Sequence, residues 1–347
     1  MRVNKPRHGR ATAVLASAIA LTVLAAVAAC GGSGKSAGSP TPAAITPTIT
    51  STPTATPSGV SPFTGLPGAS GSVLAVKIDN TDSALPHVGL NSADVVYVEE
   101  VEGGLTRIAA IYASHKPSII APIRSARETD TELLPMYGHI PLAFSGSVAA
   151  VHVLVAKNGL IDVSEDKGEL GYYRLGGRFA PYNLAGEPTV LVKRSRTKVE
   201  PRDVGFTFGA LPAGGRVAKT VSATFPSARI SFTYRPSTQR WTYSLNGRID
   251  QVPGKSAASA SDILIPYVRV GTTGRLDKVR NPVPFTYSVG RGKGVILRNG
   301  RAYNVTWART NKTSPMVFTY KGASFPLLAG QPWVVMVPRT SPVRITH

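Results

Sequence analysis

Between Asp79 and Asp130 the chain collects side chains capable of acid–base or anion-binding chemistry. Asp79, Glu100, Glu102 and Asp130 could act as general acid and base, or supply oxygen ligands to a divalent cation. Arg107, Arg124 and Arg127 carry forks that match a carboxylate or phosphate. Asn80, Gly103, Gly104 and Ser125 lie among them. Such a set would suit binding or hydrolysis of an anionic substrate. It also has a structural reading, because arginine–carboxylate pairs at strand ends hold loops together and glycines serve turns. Either way the residue types predict that at least two of the three arginines lie within salt-bridge reach of Glu100 or Glu102.

The elements that must position these groups are legible as pattern. The apolar runs 95–101 and 105–113 flank Glu102-Gly103-Gly104, which predicts a tight hairpin. Residues 72–80 read as a strand ending in Asp79-Asn80, and a third apolar run, 119–123, leads into Arg124-Ser125-Ala126-Arg127. Ser125 or Thr129 could cap a short helix through Tyr137 that Pro135 limits, and 148–157 reads as a helix closed by Asn158-Gly159. Lys193 to Lys198 is a basic run expected inside a helix. From Lys219 onward the pattern is short strands with turn signals, including a hairpin at Asn299-Gly300. Gly290-Arg291-Gly292-Lys293-Gly294 lacks the phosphate-loop spacing and reads as a basic turn. Ser145-Gly146-Ser147 lacks the nucleophile-elbow spacing, and Ser125 has no base beside it in sequence, leaving His87, His115 or His139 to approach in space. One cysteine and six scattered histidines give no metal-ligand spacing, so no metal or cofactor is expected.

The run V-K-I-D-N, then N-S-A-D-V-V-Y-x-E-x-V-E-G-G-L-T-R, then P-I-R-S-A-R-x-T-D resembles the YerB-like lipoprotein family, DUF3048, over about residues 62–338. The resemblance implies an α+β fold, with helices packed on layered sheet and a separate β-rich C-terminal domain, and it implies no reaction. Tyr182-Asn183, Trp307 and Trp333 also match family positions, although the family more often carries histidine where this chain has Tyr182. The tryptophans fall in strand patterns and read as core aromatics rather than a ligand platform.

The ends and the charge set location and partner. Residues 1–10 hold four basic side chains and no acid, residues 11–29 are apolar or small, and Cys30 follows Val27-Ala28-Ala29. That is a secretory signal, 1–29, ending in a lipobox-like V-A-A-C, with Cys30 the expected lipidation site. A nineteen-residue span could also cross a bilayer. Residues 30–61 are mostly Gly, Ser, Thr, Pro and Ala with one charge, a composition that cannot bury enough apolar surface to order and serves as a spacer. Two folded domains are expected, an α+β domain at 62–186 and a basic β-rich domain at 187–347. The first holds nine Lys/Arg and thirteen Asp/Glu, the second twenty-five and six, so the whole excess of the +20 chain lies in the second half and its leader. The leading function is therefore a lipid-anchored protein on the outer face of the cytoplasmic membrane that binds an anionic lipid or wall polymer. Nucleic acid is not an expected partner there. The alternatives are an envelope hydrolase of a glycan or phosphodiester, and a non-catalytic scaffold of a membrane complex.

Overall fold

A computed structural model describes residues 59–68, 71–252, 256–277 and 280–347. The expected signal, the expected lipidation site Cys30 and nearly all of the expected spacer lie outside the described residues. The hairpin forms as its sequence requires. Strand β2, Val95–Glu100, turns at Glu102–Gly104 into β3, Thr106–Tyr112, and the turn glycines sit at φ 68° and 69°. Gly104 is also pressed against the second half of the chain, since a Cβ there would lie 2.4 Å from Pro226. Strand β1, Leu74–Asn80, pairs antiparallel with β3 on its free side, so β3 is central in a three-strand unit ordered β2-β3-β1.

That unit is part of a much larger sheet. Beyond β1 come β4 (Pro141–Ala143) and β5 (Ile161–Asp162). Beyond β2 comes Trp333–Val335, parallel to it with Val96 opposite Trp333, and then Asp262–Val268, Gly290–Arg298, Arg301–Arg309 and Val317–Tyr320. The sequence pattern changes between residues 187 and 215, and strands from both sides of that change share this one sheet.

Alternation along the strands gives the sheet two buried faces. On one face Val76, Ile78, Val96, Val98, Ile263 and Trp333 pack against a second sheet built from Thr220–Phe225, Ala228–Arg235, Arg240–Leu245 and the edge strand Val343–Thr346. On the other face Ala75, Tyr97, Ala109, Ile111 and Leu142 meet α1 (Glu128–Leu133), its continuation Leu134–Tyr137, and α2 (Ala149–Lys157). The protein is α+β, with strands dominating its C-terminal half. Trp307 and Trp333 are core residues. Trp333 stacks on Tyr243 with ring centroids 4.8 Å apart, and buried Trp307 donates to the Tyr267 carbonyl.

Four local expectations are corrected. Residues 119–123 form no strand; they run extended, making single bridges from Ile123 to Ile78, Ala121 to Val88 and Ile120 to Gly186. The helix after them begins at Glu128, and its first turn is closed by Asp130, whose carboxylate accepts from the Arg127 N–H at 2.7 Å. Neither Ser125 nor Thr129 caps it, and Thr129 Oγ1 accepts instead from the Thr286 N–H. The basic run 193–198 lies mostly past the helix Pro188–Arg194, which ends where Arg196 turns to φ 54°. The glycine run at 290–294 is strand, not turn. Gly294 allows the Ile265 carbonyl to approach to 2.7 Å of where a Cβ would stand, so the glycines permit close packing.

Candidate functional site

Because successive strand residues face opposite ways, the ends of β1, β2 and β3 sort their charges between the two faces. Asp79, Arg107 and Glu99 lie side by side across β1, β3 and β2 on the face covered by α1. Asn80, Thr106 and Glu100 form the corresponding row on the other face. There Asn80 donates to Thr106 Oγ1 at 2.8 Å and accepts from the Tyr243 hydroxyl at 2.7 Å, tying the first half to the second sheet. Asn80 and Glu100 are thus separated from the rest of the expected cluster. Glu100 has no ion-pair partner among the described residues, and partial burial raises its pKa.

The face under α1 carries a network of charged groups. Asp79 is the hub for two arginines: its Oδ2 accepts from Arg124 Nε at 2.6 Å and lies 3.9 Å from Arg107 Nη2. Arg127 turns to Glu102, with Nε 2.8 Å from Oε2. The expected convergence on Glu100 or Glu102 therefore holds for Arg127 alone; Arg107 and Arg124 go to Asp79, which the extended path of 119–123 brings into reach. Burial, with the charges of Arg127 and Arg124, lowers the Arg107 pKa to about 10.

Beneath these pairs lies a group the sequence reading did not select. Lys77 is fully buried, with Nζ 2.6 Å from Glu99 Oε1 and 2.8 Å from Asp130 Oδ1. It reaches Glu99 across β3 at Ala109, the small residue opposite it. Burial raises the Glu99 pKa, opposed by Lys77. The signal was available: a single lysine inside V-L-A-V-K-I-D-N must be paired if the strand is buried. Among the described residues no histidine hydrogen-bonds Ser125. His87 is buried between Asp250 and the Asp79 carbonyl, and His139 bonds the Gly159 carbonyl. Asp130 is spent on Lys77 and on the helix start. Among the described residues no group of His, Cys, Asp and Glu has the arrangement of a metal site.

Two of the concavities among the described residues hold groups suited to an anionic ligand. One, about 490 Å³, opens over the network and is lined by Glu102, Arg124, Ser125, Arg127, Glu128 and Gly146 together with Asp166, Arg275 and Asp277. Tyr182 lies at Arg124, its ring centroid 5.7 Å from the guanidinium carbon, and Asn183 bonds Arg174 and the Arg178 carbonyl. The other, a groove of about 740 Å³, lies in the C-terminal half between the large sheet and the edge strand Val343–Thr346. Cross-strand register places Lys293, Thr306 and Thr319 in one row and Val295 and Asn304 in the next, with Arg216 and Lys321 also in the lining. Among the described residues no acidic side chain lines it.

A fold of this kind, one large mixed sheet with helices on one face and a second sheet on the other, is shared with proteins of known sequence. Residues 63–202 match the family described as "Protein of unknown function (DUF3048) N-terminal domain", and residues 221–334 match its C-terminal domain; the chain belongs to this family. It is similar to the protein named "Putative lipoprotein YerB" of Bacillus subtilis (strain 168), 25% identical over 280 residues, covering 76% of this chain and 81% of that one. The crystal structure of the YerB protein from Bacillus subtilis superposes with a TM-score of 0.68 at 21% identity, over 82% of this chain and 99% of that one.

Proposed function

We propose that this protein is a lipoprotein of the outer face of the cytoplasmic membrane whose basic half binds an anionic polymer of the cell envelope. The observation that carries the reading is the groove beside Val343–Thr346, which presents Arg216, Lys293 and Lys321 with hydroxyl and amide side chains and, among the described residues, no acid. It lies in the half where Lys and Arg exceed Asp and Glu by nineteen. A trough along strands suits an extended chain better than a flat bilayer surface, and rows of Thr306, Thr319 and Asn304 can bond sugar or phosphate oxygens between the cations. The location rests on the leader and Cys30 and on the name of the B. subtilis relative.

Purified full-length protein should bind a glycerol-phosphate polymer or a polyuronate with affinity that falls steeply as salt rises, because neutralised charges release counter-ions. Arg216→Glu, Lys293→Glu and Lys321→Glu together should weaken binding roughly tenfold or more. Unchanged affinity in that variant removes the groove from the reading, and preference for anionic vesicles over either polymer replaces the polymer by lipid. In the anchoring reaction Cys30 supplies the thiol, and two acyl chains hold more firmly than one. Cys30→Ala should therefore accumulate as unprocessed precursor, visible as a heavier band; normal cleavage and retention at the membrane would disprove lipidation at this residue.

A further inference from the structure

We propose that the cleft over the arginine network is a binding site for a single carboxylate group of a ligand, held by the outer nitrogens of Arg124. Asp79 takes the Nε of Arg124 and so fixes the plane of the guanidinium, while Nη1 and Nη2 have no hydrogen-bond partner among the described residues. The side chain is 28% exposed, enough for a ligand to reach it, and it lies against the Tyr182 ring. Beside it the Ser125 hydroxyl makes no hydrogen bond among the described residues, so a third donor faces the same space. Gly146, at φ 77°, keeps that space open: a Cβ there would sit 3.2 Å from Ser125 Oγ. Arg127 lines the cleft but is engaged at all three nitrogens by Glu102 and the Ala126 carbonyl.

The charge of the lining selects the ligand. Among the described residues of the lining, three guanidiniums (Arg124, Arg127 and Arg275) stand with four carboxylates (Glu102, Glu128, Asp166 and Asp277), and Arg127 and Arg275 are already paired with Glu102 and Glu128, so the cleft is not a sink for dense negative charge. A phosphate monoester would bring close to two charges against those acids. A carboxylate brings one, and its planar pair of oxygens matches the two parallel N–H bonds that Arg124 offers. The ligand is therefore a peptide carboxyl terminus or a uronate. Asp79 serves as the positioning residue. This site is separate in its residues from the basic groove and does not depend on the polymer reading.

The test is calorimetry on the full-length protein in detergent, with N-acetyl-alanyl-alanine, its C-terminal amide, glucuronate and inorganic phosphate as probes. The free acid or glucuronate, whichever is the better ligand, should bind, and the amide should not. Arg124→Lys, which keeps the charge opposite Asp79 but loses the fork, should weaken carboxylate binding roughly tenfold or more. Should that variant fail to fold, Ser125→Leu leaves the Arg124–Asp79 pair in place, narrows the cleft and should weaken binding similarly. The groove triple variant should bind the carboxylate as the unaltered protein does. The proposal is overturned if the amide binds as tightly as the better carboxylate, if phosphate binds more tightly than the better carboxylate, if neither carboxylate binds, or if Ser125→Leu keeps full affinity.

Discussion

Lys77→Met is expected to lower the melting temperature by on the order of 10 °C, or to leave no folded protein at neutral pH. Among the described residues Lys77 is the one cation within ion-pair distance of Glu99 and Asp130, and all three groups are buried. Removing one member of such a set strands the others without solvent, at a cost of about 3–5 kcal/mol. The loss should also depend on pH in a definite direction. Burial already holds the Glu99 pKa above its unfolded value while Lys77 pulls it down, so deleting Lys77 raises it further. A carboxyl with a raised folded pKa binds its proton more readily when folded, so its contribution is favourable at low pH and is lost as pH rises through the folded value. The variant should approach the parent near about pH 5 and fall away from it above neutrality. Denaturant melts across that range check both parts. Equal stability at pH 8, or a deficit that grows on acidification, would sink the account. Adding Glu99→Gln should recover part of the loss.

Arg309→Lys is expected to cost nearly as much, although no charge is removed. Arg309 is 1% exposed, and its guanidinium donates to the Ser314 carbonyl, the Ser288 hydroxyl, and the carbonyls of Glu132, Leu133 and Lys312. Two of those carbonyls belong to the end of α1, where a cation also suits the helix dipole. One planar group thus ties the helix over the arginine network to the strand Arg301–Arg309 of the C-terminal half. An ammonium has three donors on a single atom and cannot span five acceptors, so buried oxygens would be left unpaired at about 1–3 kcal/mol each. A melting temperature within a degree or two of the parent would show that water replaces the lost donors. The effect should also overlap with that of Ser288→Ala rather than add to it, since both break one network.

The sequence alone determined what local chemistry and period can determine. Gly103-Gly104 and Asn299-Gly300 specify hairpins because only such residues accept positive φ cheaply, and both turns are where the pattern places them. The helix Ala149–Lys157 and the burial of Trp307 and Trp333 are where the sequence pattern places them, and the α+β class is what the family resemblance implies. The motif residues also led to the family. Tertiary structure decided which charges meet. Glu99 and Glu100 are adjacent and chemically alike, yet one joins Lys77 and Asp130 and the other faces the opposite side, because a strand alternates and only the assembled sheet says which face α1 covers. Asp79 attracts Arg124 because residues 119–123 run as an extended segment bridged at Ile78, a pairing 45 residues apart that no local pattern encodes. Arg309 reads in sequence as one more basic residue of a cationic half, and becomes a buried tie only when its strand lies beside the end of α1. The basic groove, likewise, exists only where Arg216, Lys293 and Lys321, spread over more than a hundred residues, come together on one face of the large sheet, because charge composition fixes how many cations there are and strand register fixes where they stand.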